Sequence, residues 1–318
     1  MTTKQPLLVV AGPTASGKTA LSVQLAKALN GEVVSADSMQ MYRGMDIGTA
    51  KPTPAEMEGV LHHLIGVLNP WETFSVADYA AMARPILLDI GRRGKLPILT
   101  GGTGLYIDAI VDHIQFSPMP SDAGIRQELR QLAEAKGNGA VYALLQDCDP
   151  AIAATLHENN LGRVIRAIEV YRLTGIPISE HNRRSRAVPS PYHTCFLGLT
   201  CRDRQKLYDR INLRVDRMLE AGLEEEARRL FQGTVSPTAA QAIGYKELRS
   251  CLEGRETLQE AAERIKKESR NYAKRQLTWF RRRDTIHWLE ADTFPGGEAL
   301  FREAIRIVQG EFMKSRSE

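Results

Sequence analysis

Eight residues near the start of the chain, Gly12-Pro13-Thr14-Ala15-Ser16-Gly17-Lys18-Thr19, follow directly on the apolar run Leu7-Leu8-Val9-Val10-Ala11. A glycine-rich loop that ends in Lys and Thr after a buried-strand pattern fits a phosphate-binding loop between a strand and a helix. Backbone N–H groups and the helix N-terminus face phosphate oxygens there, and Lys18 reaches toward the terminal phosphates. The Thr19 hydroxyl is placed to join a Mg²⁺ shell. The feature commits the chain to a strand–loop–helix start and to a phosphorylated small molecule. Which molecule, and what is done to it, stays open.

The first third of the sequence repeats that grammar. Residues 18–29 space Leu21, Leu25 and Leu29 four apart, a helical stripe. Residues 32–36 read as a strand ending at Asp37, and the polar, proline-containing stretch 44–56 reads as an exposed loop. A helix over 76–90 and a strand over 95–100, despite Pro97, lead to Gly101-Gly102-Thr103-Gly104, which opens a helix over 105–112. Such alternation predicts a mostly parallel sheet covered on both faces, an α/β core of P-loop NTPase type. After Ser117-Pro118-Met119-Pro120 only helical patterns appear, at 122–136, 139–147, 149–156 and 161–173, closed by a basic Ser/Pro stretch at 183–191. A strand over 193–199 returns the chain to the sheet. Helices follow at 203–221, 223–232, 236–242, 245–253 and 257–283. The expected organisation is a core of residues 1–118 and 193–318 with C-terminal basic helices, and an all-helical inserted domain at 119–192.

Composition excludes more than it selects. With 43% hydrophobic and 25% charged residues among 318, the chain is neither disordered nor fibrous. Cys148, Cys195, Cys201 and Cys251 are scattered, which argues against a zinc knuckle or disulfide framework and for free thiols in a reducing compartment. No run approaches the ~18–20 apolar residues of a membrane span, and the N-terminus leads straight into the first strand without a signal-peptide pattern. The expected protein is cytoplasmic and monomeric, with no membrane and no obligate protein partner.

The net charge is only +4, yet residues 264–283 carry nine basic side chains against Glu268 alone, a local +8. On a helix Lys267, Arg270 and Lys274 fall at i, i+3 and i+7, a basic stripe. Asn271, Tyr272, Gln276, Trp279 and Phe280 interleave it with base-pairing and stacking types. Arg183, Arg184 and Arg186, with Arg163 and Arg166 on an insert helix, add a second basic region. The pair predicts a nucleic acid gripped between lobes.

In an open α/β sheet, ligands bind beyond the carboxyl ends of the strands. The P-loop, Asp37-Ser38-Met39-Gln40 and the 101–104 turn therefore share one crevice if their strands are neighbours. Asp37 reads as a general base, an outer Mg²⁺ ligand or an N-cap. The 101–104 turn reads as a tight connection or as an anion-facing set of N–H groups to which the Thr103 hydroxyl adds a donor. Arg210, Arg214 and Arg217 share the polar face of the 203–221 helix, from which one can reach a diphosphate. His62-His63 lacks a metal-binding frame and reads as packing or loop hydrogen bonding.

Taken together, the blocks 12–19, 35–52 (Ser35-Ala36-Asp37-Ser38 through Thr49-Ala50-Lys51-Pro52), Leu61-His62-His63-Leu64, Phe74-Ser75-Val76-Ala77-Asp78, Gly101 to Tyr106, Arg163 to Tyr171, Gln241 to Glu247 and Arg270 to Phe280 resemble the bacterial tRNA dimethylallyltransferases, also called tRNA isopentenyltransferases. The resemblance spans roughly residues 8 to 283. It implies transfer of the dimethylallyl group from dimethylallyl diphosphate to N6 of adenosine 37, with Mg²⁺ and with release of diphosphate. Gly12, Thr14, Ala15, Ser16, Gly17, Lys18 and Thr19 would hold the donor diphosphate, in place of ATP, with Thr19 on the metal. Asp37 matches the general base, Thr103 a residue contacting substrate near the reacting adenosine, and Arg214 the arginine that helps bind diphosphate. Contacts to the tRNA anticodon stem-loop are implied at Asp37, Ser38, Met39, Gln40, Arg126, Asn159, Arg163, Gln241, Gly244, Lys246, Arg275, Trp279 and Arg281. The charge pattern adds Arg166, Lys267, Arg270 and Lys274. One departure is Leu161-Gly162, where the family carries more charge ahead of Arg163. Two other classes account for part of the sequence: a P-loop kinase or ATPase, and an RNA-binding module with a regulatory nucleotide switch.

Overall fold

Leu7, Leu8, Val9, Val10 and Ala11 are all fully buried, so the first strand is covered on both faces. The computed structural model describes residues 4–117 and 119–314. Residues 1–3, Pro118 at the expected domain break, and 315–318 lie outside the described residues. Strand β1 (Gln5–Ala11) runs through the P-loop into α1 (Lys18–Ala28). Then come β2 (Gly31–Ser35), the short α2 (Pro54–Met57), β3 (His62–His63), α3 (Val76–Arg92), β4 (Leu96–Gly101) and α4 (Gly104–Val111). A helical stretch follows: α5 (Ala123–Lys136), α6 (Asn138–Cys148), α7 (Pro150–Ala153), α8 (Leu161–Thr174) and α9 (Ile178–Ser185). The chain returns through β5 (Tyr192–Thr200), α10 (Arg204–Glu220), α11 (Leu223–Gln232), a 3₁₀ turn (Ala239–Gln241), α12 (Tyr245–Leu252), α13 (Leu258–Phe280), β6 (His287–Glu290) and α14 (Gly297–Lys314). The sequence patterns did not mark α9, β6 or α14.

Among the described residues the strands form one parallel sheet in the order β3-β2-β4-β1-β5-β6. Alternate residues of β1 go to opposite cores. Leu7, Val9 and Ala11 pack with Val34, Leu99 and Phe196 and with Ala83 and Leu87 of α3. Leu8 and Val10 pack with Leu21 and Leu25 of α1 and with Ala304 and Val308 of α14. Two dry faces explain an unbroken apolar run where a half-exposed strand would alternate, and each fully buried Leu or Val contributes about 1.5–3 kcal/mol. Pro97 is tolerated inside β4 because pairing with β1 begins one residue later, at Ile98, leaving β2 as its partner in register. Reciprocal capping boxes start α3 (Ser75 with Asp78) and α13 (Thr257 with Glu260).

The chain divides into two compact units, the described residues of Met1–Val111 with Pro191–Glu318, and Asp112–Ser190. The second unit has its own core of Leu129, Val141, Leu145, Val164, Ile165 and Ile168. Its buried Glu169 accepts from the Asp122 amide at 2.7 Å, Arg126 Nε at 2.8 Å and Arg166 Nη1 at 2.7 Å. All four cysteines are free, and among the described residues no helix is long and apolar enough to cross a membrane. The stretch 44–56 is only in part the exposed loop its composition indicates: Gly44, Asp46 and residues 53–56 are exposed, whereas Met45, Thr49 and Pro52 are buried.

The histidine pair is also structural. His62 Nδ1 lies 2.9 Å from Val60 O, and His63 Nε2 lies 2.9 Å from Glu32 Oε2. Glu32, at 2% exposure on the rim opposite the P-loop, also accepts two bonds from Arg93 (2.5 and 2.7 Å) and one from Lys95 (2.8 Å). The Arg93 bonds above all, helped by Lys95 and His63, hold its carboxyl well below the usual range against the opposing effect of burial. A lowered folded-state value means stability present above the unfolded value of about 4.3 and lost as pH falls toward the folded one. Glu32→Gln is therefore expected to cost about 1–3 kcal/mol at pH 7, and the penalty should shrink as pH drops below about 4. Denaturant titrations at pH 7 and pH 3.5 check this; an equal penalty at both would refute the charge-based account.

Candidate active site

Strands β2, β4 and β1 are consecutive in the sheet, so the loops beyond their carboxyl ends meet. In the P-loop Ala15 (φ 62°) and Gly17 (φ 91°) are left-handed, turns that swing successive N–H groups toward one side. Lys18 then begins α1, and its Nζ donates to Pro13 O at 3.3 Å. Arg214 comes across from α10: Nη1 donates to Thr14 Oγ1 at 2.9 Å, and Nη2 lies 3.5 Å from Thr49 O. A cavity of about 300 Å³ opens here, with Thr14, Lys18, Thr19, Asp37 and Arg214 on its wall.

Charge inside this cavity is unbalanced in a way that favours an anion. Burial, with Arg214 nearby, pulls the Lys18 ammonium down to about 8, and Asp37 pulls it back up. A diphosphate arriving beside Lys18 supplies the opposite charge that keeps the ammonium protonated. Asp37 is fixed through Oδ1, which accepts from Met39 N at 3.0 Å. Thr103 Oγ1 accepts from Ser38 N at 3.0 Å, and Thr103 N donates to Ala36 O at 3.1 Å, so the loops after β2 and β4 are tied together. Gly101 is required there, because a Cβ would strike Ala36 O.

The cavity also has an apolar wall. Ile211, Val215 and Met218 fall at i, i+4 and i+7 on α10 and line it together with Ile265 of α13, Ala242 and Ile243. The sequence marked Ile211 and Val215 only as a helix's core side. One polar cavity end with two cations and a carboxylate, joined to such a wall, suits a small apolar group bearing a diphosphate.

Most predicted residues of the first unit gather here. Ser38, Met39, Gln40, Gln241, Gly244, Lys246 and Arg275 line the same cavity. Gln40 is committed inside the protein, donating to Thr49 O (3.2 Å) and Ala50 O (3.1 Å). Gly12 and Ser16 are buried within the loop, and Ser16 Oγ has no hydrogen-bond partner among the described residues. On α13, Lys267 and Lys274 are exposed, as is Arg281 just beyond it, while Arg270 donates to Asn212 Oδ1 at 2.5 Å.

Several residues with a nucleic-acid pattern are used internally. Trp279 packs on Gly104, donates to Asp108 Oδ2 at 2.9 Å and lies under Arg282, its ring centroid 4.0 Å from the guanidinium. Phe280 is in the core, and Gln276 is 4% exposed. In the second unit Asn159 and Arg163 are exposed, whereas Arg126 and Arg166 pair with Glu169.

Sequence reasoning missed Glu226. Its buried carboxylate accepts from Asp46 N (2.9 Å), Ile47 N (3.0 Å), Gly48 N (3.0 Å) and Tyr245 Oη (2.6 Å), fixing the backbone that leads into Thr49. Three successive glutamates at the start of α11 give no local sign of which one turns inward.

The family model described as IPP transferase matches residues 40–283, and one described as isopentenyl transferase matches residues 5–65. The tRNA dimethylallyltransferase of Geobacillus thermodenitrificans is 51% identical over 96% of this chain and 97% of its own. That of Halalkalibacterium halodurans is 49% identical over 90% and 91%. Among solved structures, the full-length tRNA isopentenylpyrophosphate transferase from Bacillus halodurans superposes with a TM-score of 0.75 at 45% identity, covering 99% of each chain. A eukaryotic dimethylallyltransferase acting on tRNA superposes at 0.81 with 31% identity, covering 98% of this chain and 80% of its own.

Proposed function

The chain belongs to the IPP transferase family, and from that premise we propose how its residues divide the work of prenyl transfer. The enzyme moves the dimethylallyl group of dimethylallyl diphosphate to N6 of adenosine 37 in tRNA. The observation that carries the division of roles is one cavity holding Lys18, Arg214 and Thr14 with Asp37 and an apolar wall.

The P-loop holds the donor diphosphate through its amides, Lys18 and the Thr14 and Thr19 hydroxyls; the unpartnered Ser16 hydroxyl gives the loop one more polar atom. The prenyl group lies on Ile211, Val215, Met218 and Ile265. An adenine N6 amine is a weak nucleophile because its lone pair is delocalised into the ring. Asp37 orients the amine and takes its proton as the N–C bond forms and the C–O bond to diphosphate breaks. Lys18, Arg214 and the loop amides stabilise the charge growing on the leaving diphosphate. Among the described residues no cluster of His, Cys, Asp or Glu makes a protein metal cage. The donor set nonetheless fits Mg²⁺, which keeps waters and takes one or two protein oxygens beside substrate phosphates. Thr19 is the residue that would hold it, and when bound it adds charge neutralisation at the diphosphate.

The adenine must leave its stack to enter the cavity, at a cost of a few kcal/mol that is least in a single-stranded loop, which favours an anticodon loop over duplex. Exposed Lys267 and Lys274 on α13, together with Lys246 and Arg275 at the cavity, carry RNA contacts for this unit; Asn159 and Arg163 do so for the helical one. The deciding experiment incubates unmodified tRNA with labelled dimethylallyl diphosphate and Mg²⁺, then digests the RNA to nucleosides. Label on N6 of adenosine is expected. ATP turnover with no label reaching tRNA would point instead to a kinase, and tRNA binding with neither reaction to a binding module.

A further inference from the structure

A single buried side chain stands where two hydrogen-bond chains of the cavity meet. Gln276, on α13, accepts from Thr14 N at 3.0 Å through Oε1 and donates to Gly102 O at 2.9 Å through Nε2. On the first side, Thr14 is the residue whose hydroxyl accepts from Arg214. On the second, Gly102 precedes Thr103, whose hydroxyl accepts from Ser38 N beside Asp37. One end of the amide thus sets the diphosphate side of the cavity and the other sets the side of the general base. Its place is reserved: a Cβ at Gly102 would strike Gln276 Nε2. Tyr272, one turn earlier on α13, lies beside Thr103 and Gln276 on the same side of the helix.

We infer that Gln276 is a positioning residue, which fixes the P-loop and the loop after β4 at a set separation and fastens both to the RNA-facing helix α13. The inference rests on the roles proposed above and adds a residue that need touch neither substrate. A buried amide with a donor and an acceptor is required because the two groups it joins are one N–H and one C=O. An apolar replacement leaves both unpaired, and the Thr14 peptide is then free to rotate with Arg214 attached to its side chain.

The test compares wild type with Gln276→Met, which keeps the volume and removes both bonds, and with Gln276→Ala, Gly102→Ala and their double variant. Affinity for inorganic diphosphate with Mg²⁺ is measured by calorimetry, alongside the single-turnover transfer rate, affinity for an RNA stem-loop and melting temperature. Gln276→Met is expected to weaken diphosphate binding about 10-fold and to slow transfer at least as much. RNA affinity should stay within about threefold, and melting within a few degrees. Gly102→Ala should copy that loss by displacing the amide, and the Gln276→Ala/Gly102→Ala double should be no worse than Gln276→Ala alone. Diphosphate affinity within twofold of wild type in Gln276→Met, or additive losses in the double, would overturn the inference. Were wild type to bind diphosphate yet transfer nothing, the transferase roles would fail while the diphosphate comparison still judged Gln276.

Discussion

Asp37→Asn is expected to lower the single-turnover rate by about 100- to 10,000-fold, the range ascribed to a positioned general base, while tRNA affinity changes little. The substitution keeps the side-chain oxygen that accepts from Met39 N, so the loop after β2 stays in place. What it removes is the capacity to take a proton from the amine, which matters as the N–C bond forms. Asp37→Ala should lose as much rate and also loosen the Met39 turn. A second signature follows from the electrostatics. Asp37 is the group that raises the Lys18 ammonium, which burial and Arg214 hold down at about 8. Without that carboxylate the ammonium gives up its proton at lower pH, so diphosphate binding by the variant should weaken earlier than in wild type as pH climbs through 7 to 9. Single-turnover rates, filter binding of tRNA and calorimetry with diphosphate separate these effects. A large loss of tRNA affinity with little loss of rate would make Asp37 a binding residue.

The parts of this site that were legible in the sequence are those whose chemistry is local. The P-loop declares itself because turn, N–H groups, Lys18 and Thr19 lie within eight residues. The crevice shared by Asp37 and the 101–104 turn needed one further step, that their strands flank β1's neighbourhood, and the order β2-β4-β1 supplies it. The helical stretch was visible because its apolar spacing shifts to a helical period. β6 was not visible, since four residues gain their strand character from pairing with β5, more than eighty positions earlier. The α13 pattern misled in a specific way. Stacking and base-pairing side chains between cations look alike whether they face RNA or protein, and here Gln276, Trp279 and Phe280 face inward while Lys267 and Lys274 face out. Arg126, implied as an RNA contact by the resemblance, and Arg166, from the basic region, both pair with Glu169, which in the sequence looks like any helical glutamate.

Glu226→Ala is expected to cost about 2–4 kcal/mol of folding stability and, through one loop, much of the activity. Each buried donor left without an acceptor costs about 1–3 kcal/mol, and this substitution strands the amides of Asp46, Ile47 and Gly48 and the Tyr245 hydroxyl together. Water entering the space left by the side chain recovers part of that sum, which keeps the expectation below a simple addition. The local packing allows little other relief, since a Cβ at Gly48 would already lie 2.5 Å from the Tyr245 ring. The loop's next residue is Thr49, whose carbonyl lies 3.5 Å from Arg214 Nη2 and accepts from Gln40 at 3.2 Å. Releasing 46–48 therefore loosens the arginine proposed to face diphosphate. Glu226→Gln should fall between wild type and alanine, because one amide oxygen still accepts while the NH₂ group confronts another donor. Denaturant unfolding of the three proteins, beside calorimetry with inorganic diphosphate, gives both readouts. If Glu226→Ala unfolds within about 0.5 kcal/mol of wild type, the range of an ordinary surface change, the carboxylate is not what orders this loop. If stability falls in the expected order but diphosphate affinity does not, Arg214 keeps its place through Thr14 alone.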